Sequence, residues 1–226
     1  MTGLSQAPGG LRAGQVSVVL LGRVIIGDIA VTLVDLVMRG LLAVAEDADD
    51  WLLTAKVPAA ERAGILGHEH QLLAGLERAG TPARLSSLAP GFGRHMDKAR
   101  SEIVGSAIHH GWIHHLHHDQ RTSQGKELGT QVRAFQRDLR RATSERGEDV
   151  LAGPLLPYAL RFGLVTDETI PLVRFAHSWV RALASEPGWA PPQPERKTYD
   201  VPESVSPAAD PHLGELGYLL LAFGGS

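Results

Sequence analysis

The chain of 226 residues contains no cysteine. Disulfide bonds, thiol nucleophiles and thiolate metal ligands are therefore excluded, and the composition fits a reducing compartment. Long apolar runs are also missing: those at 16–21 and 218–223 are far shorter than the roughly 20 residues that cross a bilayer. The first fifteen residues lack the pattern of a signal peptide. We therefore expect a cytoplasmic protein without a membrane contact.

An excess of charge of one sign is equally absent. The net charge is −3 and the sequence pI is about 6.4, so no overall basic field attracts nucleic acid. The sequence contains no phosphate-binding glycine loop, no serine nucleophile elbow and no paired carboxylates. Lysine occurs at only four positions, 56, 98, 126 and 197, which together with abundant alanine and glycine is typical of a high-GC bacterial genome. No cofactor is predicted.

What is present is a strong pattern of helices and short strands. Residues 28–39 read as a buried helix, with Asp28 as N-cap and Gly40 as a left-handed C-cap. Two short strands follow around the acidic turn at 46–50. A helix followed by a strand hairpin is typical of the end of a winged-helix unit.

A second unit repeats this order. Helices are predicted over 67–80 and 92–110, with a short strand or helix start at 84–88, and Gly111 ends the second helix. Residues 112–122 then read as a strand that runs into a wing. The next helix, over 126–142, carries one buried stripe and is capped by Thr122 or Ser123. The residues of the stripe are Leu128, Val132, Phe135 and Leu139.

The sequence therefore predicts a mainly α fold (α+β) with tandem winged-helix-like units and small β-wings. We expect a flexible start over 1–15, the two units over 16–143, and a polar link at 144–149. A C-terminal helical segment of the same body is predicted over 150–185, with helices at 155–164 and 167–184. Residues 186–226 form a proline-rich tail whose apolar end, 213–223, is expected to dock on the body or on another subunit.

Six of the eleven histidines fall within residues 109–118. This cluster spans the end of a helix and the first strand of the second wing. A histidine pair four apart on a helix can chelate a metal, but no conventional zinc motif is present and adjacent pairs point in opposite directions, so no metal is predicted. The candidate catalytic residues are His109, His110, His114 and Asp119. The candidate ligand-binding residues are Trp112, His115, His117 and Arg121.

Three interpretations of this cluster stay open. A solvated or interaction surface is the favoured one, and it is pH-sensitive because histidine titrates near neutral pH. The second is ligand binding or general acid–base chemistry, with Asp119 orienting an imidazole. The third is a native metal site, which the spacing does not favour. Elsewhere, residues 68–70 (His-Glu-His) fan out around a helix, and Glu69 is expected to favour the first turn. His177 is expected to be half-buried in an apolar helix.

Several segments resemble the soluble C-terminal region of bacterial membrane proteins of the DUF2207 type. The similarity covers residues 16–184 and includes the motifs R-T-x-x-G-x-x-L, from Arg121 to Leu128, and L-P-Y-A-x-x-x-G, from Leu156 to Gly163. The resemblance implies tandem winged-helix-like units followed by a helical segment. Typical members also carry an N-terminal domain and transmembrane helices, which this sequence lacks, so no membrane role is implied. The resemblance implies no specific chemistry.

The sequence thus favours a bacterial binding or interaction protein with a protein partner or small-molecule ligand. One alternative is a tailoring or cyclising enzyme of specialised metabolism that uses the histidines for proton transfer. A second alternative is a DNA-binding regulator, because the helix predicted over 126–142 carries a row of arginines: Arg133, Arg137, Arg140 and Arg141. The helix over 93–104 mixes both charge signs, however, so nucleic acid is not the expected partner. A homo-oligomer formed through the tail is a further expectation.

Overall fold

A computed structural model describes residues 7–56, 64–115 and 120–184 of the chain. They form a mainly helical protein with one small antiparallel sheet, which confirms the predicted mainly α class. The helices are α1 (Val16–Leu21), α2 (Ile26–Met38), α3 (Gly67–Ala79), α4 (Leu85–His109), α5 (Ser123–Ala152), α6 (Leu156–Arg161) and α7 (Pro171–Ala184). The strands are β1 (Leu42–Asp47), β2 (Asp50–Ala55) and β3 (Ala83–Arg84).

The chain before α1 is folded onto the core. Short 3-10 turns at Pro8–Gly10 and Ala13–Gln15 lead into α1, and the intervening Leu11 is buried. Gly14 crosses α2 so closely that a Cβ atom there would lie 2.0 Å from the Thr32 hydroxyl. A glycine is therefore required at this crossing. The prediction of a flexible start is wrong for residues 7–15, because their apolar side chains are part of the core.

Helix α2 lies at the centre of the protein and is buried from Gly27 to Leu36. It begins two residues earlier than predicted, with Ile25 rather than Asp28 as the N-cap. The Asp28 carboxylate still satisfies an end group of the helix, since it accepts the Ile25 backbone N–H at 2.8 Å. Gly40 follows the helix with a φ of 73°, the left-handed conformation predicted for it.

The predicted hairpin is present as β1 and β2. Leu42 pairs with Ala55 at one end and Asp47 with Asp50 at the turn. The third strand, β3, lies on the other side of β2 and consists of only two residues, 83 and 84. Because β3 belongs to the part of the chain between α3 and α4, the sheet joins the first and second halves of the protein.

Helices α3 and α4 pack closely against each other. A Cβ atom at Gly75 would lie 2.7 Å from ring atoms of both Phe92 and His95, so glycine permits the short interhelical distance. Helix α4 begins at Leu85, seven residues earlier than predicted, directly after β3. It ends at His109, and Gly111, with a φ of 67°, turns the chain away.

Helix α5 packs its predicted stripe into the core: Leu128, Val132, Phe135 and Leu139 are all buried. The helix continues to residue 152, so the polar link predicted at 144–149 is wrong. A polar extension needs no apolar face once the helix has nucleated, and the one glycine of the extension, Gly147, costs only about 1 kcal/mol. The helix ends just before Pro154, which cannot continue it.

Helix α7 joins the two halves through aromatic rings. The rings of Trp51 on β2 and Phe175 on α7 lie 5.4 Å apart, and those of Trp179 on α7 and Phe92 on α4 lie 5.3 Å apart. The helix begins at Pro171 rather than at residue 167, in agreement with the preference of proline for a first turn. The C-terminal helical segment therefore packs on both halves.

None of the helices in the described part of the chain is long and apolar enough to span a bilayer. The tail predicted over 186–226 and its apolar end lie outside the described residues.

Candidate functional site

Four of the clustered histidines lie together on the surface. His109 is the last residue of α4 and His110 follows it; His114 and His115 come after the turn at Gly111. All four side chains are exposed. We call these four residues the histidine edge. Two other candidate residues of the cluster, His117 and Asp119, lie outside the described residues.

The histidine edge is anchored by two buried side chains. Trp112 is 7% exposed and Ile113 is 2% exposed, so the chain between the two histidine pairs enters the core. The His110 ring stacks on Trp112 with centroids 4.8 Å apart and an interplanar angle of 23°. Its Nδ1 atom lies 2.7 Å from the Ser106 carbonyl oxygen. Since a carbonyl only accepts, Nδ1 carries the proton of the neutral ring and Nε2 is left as the acceptor.

A hairpin-like turn closes the base of the histidine edge. The His114 backbone N–H donates to Gln120 at 2.9 Å and that of Thr122 donates to Trp112 at 3.1 Å. Among the described residues only one isolated bridge, between Ile113 and Arg121, joins the two sides. The strand predicted within 112–122 is therefore reduced to a bridge in that part of the chain.

The first turn of α5 holds this hairpin from below. The Thr122 hydroxyl accepts the Gly125 N–H at 3.0 Å, which confirms Thr122 as the N-cap. A Cβ atom at Gly125 would lie 1.9 Å from the Trp112 carbonyl oxygen. Only glycine allows α5 to begin this close to the hairpin, and the histidine edge is therefore fixed to two helices.

Arg121, predicted as a ligand-binding residue, has a different position from the histidines. Its half-buried guanidinium lies 3.5 Å from the Val19 carbonyl oxygen at the end of α1. Cationic side chains favour helix C-termini because the last carbonyls lack partners. The structure thus gives Arg121 a role in joining α1 to α5.

Asp28 on α2 is fully buried. Its Oδ1 atom lies 2.8 Å from Nε of Arg161 on α6, and it also accepts from the Ser17 hydroxyl of α1. Burial raises the pKa of Asp28 above its ordinary value, while the Arg161 charge opposes the shift. Three helices are therefore held together by one fully buried carboxylate.

A second buried group lies about two turns further along α2. Asp35 contacts Arg39 at 2.9 Å, and Arg39 contacts Glu69 of α3 at 2.6 Å. Arg12 approaches Glu69 at 3.7 Å. Burial raises the pKa of Asp35, although Arg39 opposes the shift. With two acids and two arginines, the group is electrically balanced and ties α2 to α3.

Two neutral groups accompany these ion pairs. Tyr158 donates its hydroxyl to the Leu11 carbonyl at 2.6 Å, and burial raises its pKa to about 12. His68 is 1% exposed, and burial lowers its pKa to about 4 despite the neighbouring Glu69. Its Nε2 atom has no hydrogen-bond partner among the described residues. His68 is therefore a neutral core residue at pH 7.

His177 is more deeply buried than predicted, at 4% exposure, and its Nδ1 atom lies 2.9 Å from Glu168.

Glu69 occupies the first turn of α3 as predicted and accepts the Leu66 N–H at 3.0 Å. Its second role, the contact with Arg39, had only a weak signal in the sequence. That signal is the placement of Asp28 and Asp35 seven residues apart on an otherwise apolar helix, where buried carboxylates require cationic partners.

Nowhere in the described ranges do three histidine or acidic side chains come close enough to hold a metal ion. Comparison of the chain with protein-family models, with curated proteins and with solved structures found no match. The resemblance to DUF2207-type proteins therefore stays a prediction.

Proposed function

We propose that the chain is a non-catalytic binding protein that holds a protein partner on its histidine edge. The observation that carries the proposal is the exposure of His109, His110, His114 and His115 together on one anchored turn. The buried ionisable side chains of α2 are, in contrast, engaged in internal ion pairs. The histidines of the edge, by comparison, reach the surface of the protein.

The geometry suits binding in two ways. Trp112 and Gly125 hold the turn against α4 and α5, so little conformational freedom is lost when a partner docks on it. Each imidazole can donate a hydrogen bond, accept one and stack on a ring of the partner. The edge can therefore make several kinds of contact with one partner.

We propose that the histidine edge is carried by a pair of winged-helix-like units. In the first unit, α1 and α2 precede the β1–β2 hairpin; in the second, α3, β3 and α4 precede the turn at 112–122. The order of elements supports this description. Helix α2, which precedes the first wing, is buried and cannot enter a DNA groove, so a protein partner is the better candidate.

The test is site-specific photocrosslinking in the producing cells. A photoreactive phenylalanine analogue replaces His114 in one strain and His70, an exposed histidine on α3, in the control strain. We expect one protein to be crosslinked from position 114 and not from position 70. That protein is then purified, and its affinity for the tag-free chain is measured directly.

In the affinity measurement with the purified partner, replacing the four edge histidines by asparagine should weaken binding at least tenfold. The control variant His70→Asn should bind as the original chain does. Truncating central contacts of an interface costs 2 kcal/mol or more, and 1.4 kcal/mol is already a factor of ten. The proposal is wrong if the same proteins are crosslinked from both positions, or if the purified pair binds the four-histidine variant as tightly as the original chain.

A further inference from the structure

Helix α5 presents four basic side chains on one exposed face. Lys126, Arg133, Arg137 and Arg140 are all exposed, and at about 100° per residue they fall within an arc of roughly 60°. This arc lies roughly 140° away from the buried stripe of the same helix. We call these four residues the basic stripe; it extends for about 21 Å along the helix.

The basic stripe has no acidic counterpart among the described residues. The acidic residues of α5 whose side chains the structure describes, Glu127, Asp138 and Glu145, lie on a neighbouring face, and Asp138 pairs with Arg141 at 3.1 Å. None of the four basic side chains forms an ion pair with a described acid. In a chain with a net charge of −3, such a local excess of positive charge favours an acidic partner.

An acidic segment of suitable length exists in the same chain. After Lys197 the sequence contains Asp200, Glu203, Asp210 and Glu215 but neither lysine nor arginine. Thirteen residues, 185–197, separate Ala184, where α7 ends, from position 198, and the fourteen steps from 184 to 198 can span up to about 46 Å. A body of this size has a radius of gyration of about 16 Å, so the segment can reach the basic stripe.

From this charge complementarity we infer that residues 198–216 dock on the basic stripe of the same molecule. Next to α5, α1 exposes one large apolar side chain, Leu21, at 47%. A single surface ion pair contributes little to such docking. Because the segment is tethered, its effective concentration is nevertheless in the millimolar range, so docking is expected to be substantial at low salt and lost at high salt.

The absence of cysteine makes a clean test possible. A nitroxide label on a single cysteine introduced as Ser204→Cys in the full chain broadens the amide signals of residues near it. At about 10 mM salt we expect strong broadening of the amides around Arg133–Arg140. At 1 M salt the broadening should fall several-fold, because the Debye length shrinks from about 30 Å to about 3 Å.

Charge-reversal variants identify the contact. Arg133→Glu and Arg137→Glu together should remove most of the broadening, whereas the matched pair Arg94→Glu and Lys98→Glu, exposed on α4, should not. Neutralising the four acids, Asp200→Asn, Glu203→Gln, Asp210→Asn and Glu215→Gln, tests the same contact without altering the body.

Three results would overturn the inference. One is an absence of broadening on α5 at low salt. Another is broadening that neither charge-reversed nor neutralised variants reduce. The third comes from a mixture of two preparations, one isotope-labelled without nitroxide and the other nitroxide-labelled at natural isotope abundance. Broadening in this mixture would show that the segment docks on a second copy instead.

Discussion

Two groups of ionisable side chains in this protein differ in every respect that governs their chemistry. The first surrounds α2, where Asp28 and Asp35 are buried and paired with Arg161 and Arg39. The second is the histidine edge, whose side chains are exposed at the end of α4. A buried charge must be compensated within the fold, and its removal affects stability. An exposed imidazole contributes little to stability and is available to a partner.

The largest expected effect comes from breaking the buried pair on α2. Arg161→Met leaves the Asp28 carboxylate without its cation inside the core, and we expect a loss of about 3–5 kcal/mol in the free energy of unfolding. Urea denaturation followed by circular dichroism measures it. Arg133→Met, on the exposed face of α5, is the control and should change stability by less than about 0.5 kcal/mol. Adding Asp28→Asn to Arg161→Met should recover part of the loss; a double variant less stable than the single one would contradict the pairing.

The next effect concerns the pH dependence of stability. Because burial lowers the pKa of His68 from 6.5 to about 4, the unfolded chain binds more protons between these values. The free energy of unfolding therefore falls as the pH drops through this window, by roughly 3 kcal/mol from this residue. His68→Leu should flatten the profile between pH 7 and pH 4.

The raised pKa values of Asp28 and Asp35 act in the opposite sense, because protonation relieves the cost of a buried carboxylate. Both aspartates are present in the wild type and in the His68→Leu variant, so their contributions largely cancel when the two stability profiles are subtracted. His70→Leu, at an exposed position of the same helix, should keep the original slope. Parallel profiles for wild type and His68→Leu would show that His68 is not a buried neutral residue in solution.

The smallest effect is expected at the histidine edge. Replacing His109 and His114 by asparagine should change the free energy of unfolding by less than about 0.5 kcal/mol, because both side chains are exposed. The thermal midpoint of the double variant measures this. A loss above about 1 kcal/mol would mean that the edge belongs to the core rather than to a surface that binds.

The sequence predicts well those features that depend on neighbouring residues. The buried stripe of α5, the β1–β2 hairpin and the Thr122 cap follow from local spacing, so each could be predicted from neighbouring residues. The ion pair of Asp28 with Arg161 joins residues 133 positions apart, and no local pattern specifies it. The two-residue strand β3 is likewise too short to give a periodic signal.

The sequence predicts a flexible start over 1–15 because glycine, serine and proline are frequent there. The burial of Leu11 and the hydrogen bond from Tyr158 to its carbonyl oxygen are tertiary contacts, and these override composition. The exposure of the histidine edge was the favoured prediction, but its anchoring depends on the close approach of Gly125 to Trp112. That approach brings together backbone atoms of two elements, which a sequence pattern does not show.

The pairing of β3 with β2 has a consequence for engineering. In this pairing Leu52 lies opposite Arg84, and Leu53 lies opposite Ala83. Strand β2 precedes residues 57–63 in the sequence and β3 follows them. A backbone cut within 57–63 would therefore give two fragments, each of which lacks one part of a shared sheet and of the aromatic contacts of α7. Such fragments suit a split reporter, since neither can complete the sheet alone and their association restores it.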